Sequence, residues 1–390
     1  MSSSVIDYAA VVVVAVVVFQ DSVQWEKMGL ASSLVYAQAV SILLLAIVLL
    51  RRRRQPKVLL LVGCGNVGAG IGTAFAMGEW RVITVDPSPS LVPLILRAAP
   101  HEFHAKAIEE IDDAALAQMV KASGGEIVYA AECGNRDEYK DDGKLGEANA
   151  RRFEAFVRRL PANELRLRYV GGSWTRRHMT ESASGDAPVV EDTSPPKADD
   201  GCNPYERAKN RACQLAKKLA RERGVHITFC DWASVVPNMA PNFSVAKMVD
   251  EAISKGTISY SKGDIGRPLC HSVDAGRALL RLCESDRKAG ATMKIFDVLL
   301  VPGTFTSFEN FATAVHAEMG EQMEGGTACA IVAKDDNAKR NTLLQARCVS
   351  ARLSALGFTP DEAAVERGLR QTAKARWASC LETEMSRSMM

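Results

Sequence analysis

Val58-Leu59-Leu60-Leu61-Val62-Gly63-Cys64-Gly65-Asn66-Val67-Gly68 runs an unbroken apolar stretch into glycines at the spacing Gly-x-Gly-x-x-Gly. A short run that is apolar at every position and ends in glycines is the pattern of a strand buried on both faces of a parallel sheet. Gly70 to Met77 then reads as a helix, and Arg81 to Val85 as a second strand closed by Asp86-Pro87. Each part has a physical task. Gly63 permits a tight turn, Gly65 lets the backbone approach a pyrophosphate, and Gly68 lets helix and strand pack closely. Asn66 and Val67 stand within the turn ahead of the helix, whose N-terminal amides can donate to phosphate. Asp86 stands 18 residues beyond Gly68, where a carboxylate at the end of the second strand accepts hydrogen bonds from an adenosine ribose. Pro87 and Ser88 follow it, so no arginine is at hand for a 2′-phosphate, and the expected dinucleotide is NAD rather than NADP.

Outward from this unit the chain keeps alternating short apolar runs with helical ones, the signature of a parallel α/β sheet. Glu126 to Ala131 reads as a strand, Asn149 to Arg159 as a helix and Leu165 to Val170 as another strand. Glu181 to Asn203, crowded with Ser, Asp, Pro and Gly, reads as a surface loop. A helix through Tyr205 runs to Arg223, Gly224 ends it, and Val225 to Cys230 forms the next strand. After Pro237 the alternation breaks down. The fold expected is therefore an α/β, Rossmann-like, doubly wound parallel sheet over residues 55–236. A smaller C-terminal substrate lobe follows over 237–380, with a tail at 381–390.

Residues 1–54 are a different material. Val5 to Phe19 is apolar apart from Asp7, and Gly29 to Leu50 is about 22 mostly apolar residues without a charge, enough for a helix to cross a bilayer. Arg51 to Arg54 follow at once, and by the positive-inside rule they hold the body of the protein on the cytoplasmic face. The expectation is a membrane anchor of one span or a hairpin. A cleaved signal peptide is disfavoured, because no basic segment precedes the first apolar run.

Across the 390 residues, 47% are apolar and the formal net charge is +2. That is ample for a core, and with no basic stripe interleaved with aromatics, nucleic acid is not an expected partner. Ten cysteines occur, no two of them separated by only two residues, which suits neither a zinc ribbon nor a redox pair and points to reduced thiols. His101, His104 and His178 show no ligand spacing, so no metal is expected.

The chemistry concentrates in Asn203-Pro204-Tyr205-Glu206-Arg207-Ala208-Lys209. Four residues along a helix place the Tyr205 and Lys209 side chains on one face. A free phenol has a pKa near 10, so tyrosine becomes a useful base near neutrality only when a neighbouring cation stabilises the phenolate. Lys209 supplies that cation.

These elements, in this order, resemble the extended short-chain dehydrogenase/reductase family, the NAD-dependent epimerases and dehydratases, over Lys57 to Trp377. Tyr205 and Lys209 match its Tyr-x-x-x-Lys. Tyr169-Val170-Gly171-Gly172-Ser173 resembles the strand end that carries the catalytic serine, with Ser173 the matching hydroxyl. Ala130-Ala131 and Asn149 look like its middle-strand and following-helix landmarks, and His271-Ser272-Val273-Asp274-Ala275 is similar to its His-Val-x-Asp segment. Arg267, four residues before His271, stands where many nucleotide-sugar members set an arginine against the substrate's diphosphate.

The resemblance implies that Tyr205 takes a proton from a substrate hydroxyl as hydride passes to the nicotinamide. Ser173 would bond the same oxygen, and Lys209 would hold the nicotinamide ribose. Three departures stand out. The turn reads Gly-Cys-Gly rather than opening Thr-Gly, Asp231-Trp232 replaces the common Arg-Pro, and Trp174-Thr175 replaces the Asp-Glu pair of the 4,6-dehydratases, which disfavours dehydration.

The function expected is hydride transfer at a hydroxyl carbon, of a nucleotide sugar first, with a sterol or lipid hydroxyl as the alternative small-molecule substrate. A catalytically idle nucleotide-binding subunit of a membrane complex is the alternative from another class. Dimers are common in families of this kind, and the residues leave the oligomeric state open.

Overall fold

The computed structural model describes residues 57–88, 102–132, 139, 143–161, 165–171, 204–238, 243–262, 266–289, 294–322, 329–334 and 350–388. The expected anchor at 1–54 and Ser173 lie outside them. Everything below concerns the unit that begins at Lys57. Among the described residues no helix is long and apolar enough to cross a membrane.

The strands are β1 (Val58–Val62), β2 (Arg81–Val85), β3 (Glu102–His104), β4 (Glu126–Tyr129), β5 (Arg166–Val170), β6 (His226–Trp232), β7 (Ser234–Val236), β8 (Thr257–Ser261), β9 (Gly266–His271), β10 (Phe296–Val301), β11 (Thr304–Ser307) and β12 (Ala330–Lys334). The helices are α1 (Asn66–Met77), α2 (Asp113–Ala122), α3 (Lys144–Arg159), α4 (Pro204–Arg223), α5 (Ser244–Lys255), α6 (Ser272–Ala289), α7 (Phe308–Gln322), α8 (Ala351–Ala355) and α9 (Glu362–Ser388). Seven parallel strands make the main sheet in the order β10-β6-β5-β4-β1-β2-β3. From β1 the chain builds outward through β2 and β3, then returns to the other side of β1 with β4. Such a reversal, at the carboxyl ends of the strands, is the usual ligand position in an open α/β sheet.

The sheet is double-faced because its middle strands are apolar at every position. Successive side chains of a strand point to opposite faces. Val58, Leu60 and Val62 join a core with Tyr129, Phe153, Phe156 and Tyr169, under α3 and α4. Leu59 and Leu61 join Ile71, Phe75, Ala275 and Leu279, under α1 and α6. Each fully buried aliphatic side chain contributes roughly 2 kcal/mol.

The C-terminal half departs from a simple second lobe. A second sheet, β11-β9-β7, and a two-stranded parallel pair, β8 with β12, pack with α5, α7 and α9 around Val249, Phe311, Val315 and Leu369. Between these pieces the chain comes back. The apolar stripe Ala275, Ala278, Leu279 and Leu282 of α6 covers the main sheet beside α1, and β10 pairs with β6. The second sheet also begins before residue 237, at β7. The expected tail at 381–390 is helical as far as Ser388, since no glycine or proline interrupts α9 after Gly368. The seven cysteines among the described residues are all free thiols.

One charged network lies inside the fold. Arg168 on β5 is fully buried and donates to Glu126 on β4 at 2.6 Å and to Asp286 on α6 at 2.9 Å. Arg166 reaches Glu126 at 3.0 Å, and Arg352 on α8 pairs with Asp286 at 3.2 Å. Removing one member of a buried ion pair strands the other charge, at a cost of about 3–5 kcal/mol. Arg168→Met is therefore expected to destabilise the protein by about 3 kcal/mol or more, read as a lowered urea midpoint. A midpoint equal to wild type would show that the cluster contributes nothing net.

Candidate functional site

The first half of the site is the turn after β1. Gly63 has φ +94°, and a Cβ on it would lie 2.5 Å from the backbone of Ala130 and Ala131 beyond β4. A Cβ on Gly68 would lie 2.1 Å from the Gly63 carbonyl oxygen. Gly65 is the opposite case, because a Cβ there would meet nothing within 4 Å. The turn is thus closed on its inner side and open on its outer side. Gly65 is also the N-cap of α1, with no side-chain cap and no acidic residue in the first turn. The amides at Asn66 and Val67 lie at the positive end of the helix dipole without a competing carboxylate, an arrangement that fits a pyrophosphate.

Asp86 pins this turn. One carboxylate oxygen accepts from the Cys64 amide at 2.6 Å and the other from the Ser88 amide at 2.7 Å. A carboxylate oxygen can accept more than one hydrogen bond, so Asp86 keeps capacity for a ribose hydroxyl. Burial, then the Asp86 charge, push the Cys64 thiol up to about 12. The cysteine inside the glycine turn is therefore an inert packing residue.

The second half lies at the start of α4. Tyr205 and Lys209 face each other across one helical turn, with the Lys209 ammonium 5.4 Å from the centre of the Tyr205 ring and 5.9 Å from that of Tyr139. The two rings meet edge to face at 5.1 Å, and Asn149 on α3 donates to the Tyr139 hydroxyl at 2.9 Å. Lys209 is ion-paired with Glu132, their side chains only 7% and 11% exposed. The other oxygen of Glu132 accepts from the Tyr169 hydroxyl. Burial holds the Tyr169 phenol well above its ordinary pKa, so it stays a donor. Burial also pulls Lys209 down to about 7, against the upward push of Asp231 at the end of β6.

The two halves meet through three residues. Ala130 and Ala131 lie against Gly63, and Glu132 comes next and pairs with Lys209. Of the residues expected from sequence, the structure brings together the glycine turn with Asp86, and Tyr205 with Lys209. It places Arg267 on β9 in the second sheet, its guanidinium 6.0 Å from the Phe308 ring centre. His271 caps α6, its Nδ1 accepting from the Val273 amide at 3.2 Å, and Asp274 accepts from the Asp361 amide at 2.8 Å. That segment joins α6 to α9.

Glu132 and Tyr139 are the members that sequence reasoning missed. For Glu132 a signal existed, an ionisable residue directly after Ala130-Ala131 at the carboxyl end of a central strand. Because a side chain at 68 must displace the Gly63 carbonyl, Gly68→Ala is expected to weaken dinucleotide binding at least tenfold by isothermal titration. Wild-type affinity in that variant would mean the turn does not cradle the phosphates.

The family model for NAD-dependent epimerases and dehydratases matches residues 59–296. No curated protein matches the chain. Among solved structures, a UDP-glucose 4-epimerase from Stenotrophomonas maltophila, with bound NAD and formylated UDP-arabinopyranose, is similar at TM-score 0.59 and 16% identity, over 83% of this chain and 99% of that one. A UDP-glucuronic acid 4-epimerase from Bacillus cereus, in complex with UDP-glucuronic acid and NAD, is similar at 0.58 and 14%, over 82% and 99%. A dTDP-glucose 4,6-dehydratase from Streptomyces venezuelae is similar at 0.57 and 17%, over 81% and 96%. At such identities the likeness is one of fold. The family match spans more than half of the chain, and the protein belongs to the NAD-dependent epimerase/dehydratase family, as an enzyme of the extended short-chain type.

Proposed function

We propose that the protein acts on a nucleotide sugar, by epimerisation at a hydroxyl carbon. The observation that carries this reading is the Tyr205–Lys209 pair, set at the carboxyl end of the sheet and joined through Ala130–Glu132 to a glycine turn that fits a dinucleotide. The choice of substrate class draws on the neighbours, whose names or bound ligands include UDP-glucuronic acid, formylated UDP-arabinopyranose and dTDP-glucose. Epimerisation is favoured over dehydration because Trp174-Thr175 stands where the dehydratases carry Asp-Glu.

In this reading Tyr205, as phenolate, takes the proton from the substrate hydroxyl and returns it after the sugar has turned. The Lys209 ammonium favours the phenolate. Ser173, two residues beyond Gly171, steadies the oxygen as it becomes a carbonyl. NAD, when bound, would accept the hydride and give it back to the opposite face of the carbon, so that no net oxidation results. Gly63, Gly65, Asn66, Val67 and Gly68 hold its phosphates, Asp86 its adenosine ribose and Lys209 its nicotinamide ribose. Arg267 is assigned to the diphosphate of the substrate from the family resemblance, in which many nucleotide-sugar members place an arginine at this position before the histidine.

Tyr205→Phe is expected to lower turnover by at least about a thousandfold while NAD binding stays near wild type. The measurement is chromatographic separation of sugar epimers formed from a panel of UDP- and dTDP-sugars, with mass spectrometry of ligands carried through purification. A sterol as the co-purified ligand, or wild-type turnover in Tyr205→Phe, would overturn the reading.

The anchor belongs to the same proposal. Its support is the charge-free apolar stretch Gly29 to Leu50 followed by four arginines, which would hold the catalytic unit at the cytoplasmic face. Deleting residues 1–54 is expected to move the protein from the membrane to the soluble fraction. Retention of the shortened chain in the membrane pellet would refute it.

A further inference from the structure

Lys209 sits in an unusual electrostatic setting. The cation is almost fully buried, and two carboxylates reach it from different strands, Glu132 after β4 and Asp231 at the end of β6. Among the described residues, phenols and a thiol also lie in this neighbourhood. Tyr205 shares its helix, Tyr139 presents a ring edge-on to Tyr205, Tyr169 reaches up from β5, and Cys213 lies further along α4. Glu132 is held at both ends, with Oε1 accepting from Tyr169 and Oε2 paired with Lys209. Tyr169 is itself fixed, its ring stacked on Phe153 at 4.2 Å with 9° between the planes. The carboxylate therefore has one defined place, between a rigid phenol and the lysine.

We propose that Glu132 is a positioning residue of this enzyme, whose carboxylate, braced by Tyr169, keeps the Lys209 side chain in place and charged opposite Tyr205. The inference rests on the reading of Tyr205 and Lys209 given above. Burial disfavours an ammonium, and a neighbouring carboxylate favours it. Burial draws Lys209 down to about 7 while Asp231 pushes back, and Glu132 acts in the same direction as Asp231. The sign of the consequence is fixed. The ammonium exists below its midpoint and is lost as pH rises through it, so the alkaline limb of activity reports Lys209. Taking away the Glu132 charge moves that limb to lower pH.

The test uses the full-length protein labelled with 13C at lysine Cε, with the Lys209 signal identified by its loss in Lys209→Arg. In Glu132→Gln the Lys209 midpoint is expected to fall by about one pH unit or more, a tenfold loss of the charged form at a fixed pH above it. Glu132→Asp is expected to restore most of the shift. Tyr169→Phe, which keeps the ring and removes only the hydroxyl, is expected to give a smaller fall in the same direction. In turnover, the alkaline limb of kcat/KM in Glu132→Gln should descend by the same interval, with KM for the nucleotide sugar little changed. An unmoved midpoint in both Glu132→Gln and Tyr169→Phe would overturn the inference. If the midpoint shifts but the wild-type protein turns over no nucleotide sugar, the functional reading fails and the Glu132–Lys209 coupling stands.

Discussion

The constraint on which the site depends is the contact between Gly63 and the backbone of Ala130-Ala131. At φ +94°, with main-chain atoms 2.5 Å from where its Cβ would lie, residue 63 can carry no side chain. Two neighbouring strands consequently end in touch with each other at the point where the sheet order reverses. On one side of the contact the chain opens into the uncapped start of α1, and on the other it delivers Glu132 to Lys209. The glycine turn and the Tyr205–Lys209 pair are thus held in register by main-chain packing, which side-chain motion cannot loosen.

The sheet also keeps two buried ionic groups apart by the alternation of a single strand. Arg168 and Tyr169 are adjacent on β5 and point to opposite faces. Arg168 goes toward α6 and closes a network with Glu126 and Asp286. Tyr169 goes toward α3 and α4, stacks on Phe153 and bonds Glu132. The charges at the centre of each group are buried or nearly so, Arg168, Glu126 and Asp286 in the first and Lys209 and Glu132 in the second. Such groups add little net stability, but breaking one partner is costly. The first therefore acts as a lock on the sheet. The second ties the ends of β4 and β5 to Lys209 on α4, beside Tyr205.

Local signals were legible and distant ones were not. β1 and β2 ended where the apolar runs end, and Asp86 and the Tyr205–Lys209 pair fell where spacing put them, because each depends on a few consecutive residues. Helix starts were read too late. α1 begins at Asn66 and not Gly70, and α3 at Lys144 and not Asn149. In both, glycine suppresses the local preference for helix. Packing overrides it, since Gly146 lies where a Cβ would come within 2.6 Å of Ala208 on α4. The return of α6 and β10 to the main sheet, and the pairing of Glu132 with a lysine 77 positions away, are tertiary facts with no local trace.

Asp231 shows how a departure from a family pattern can be read through its surroundings. An acidic residue at the end of β6 in place of Arg-Pro suggests, by itself, a damaged cofactor contact. In the structure it is buried and acts electrostatically on Lys209, in the direction that keeps the ammonium charged. A buried lysine needs such compensation, because burial alone favours the neutral amine, which would leave Tyr205 without its cation. Glu132 offers the same compensation from the neighbouring side. The two acidic residues make physical sense together, as the charges that allow this lysine to remain a cation in a site more deeply buried than the motif alone would indicate.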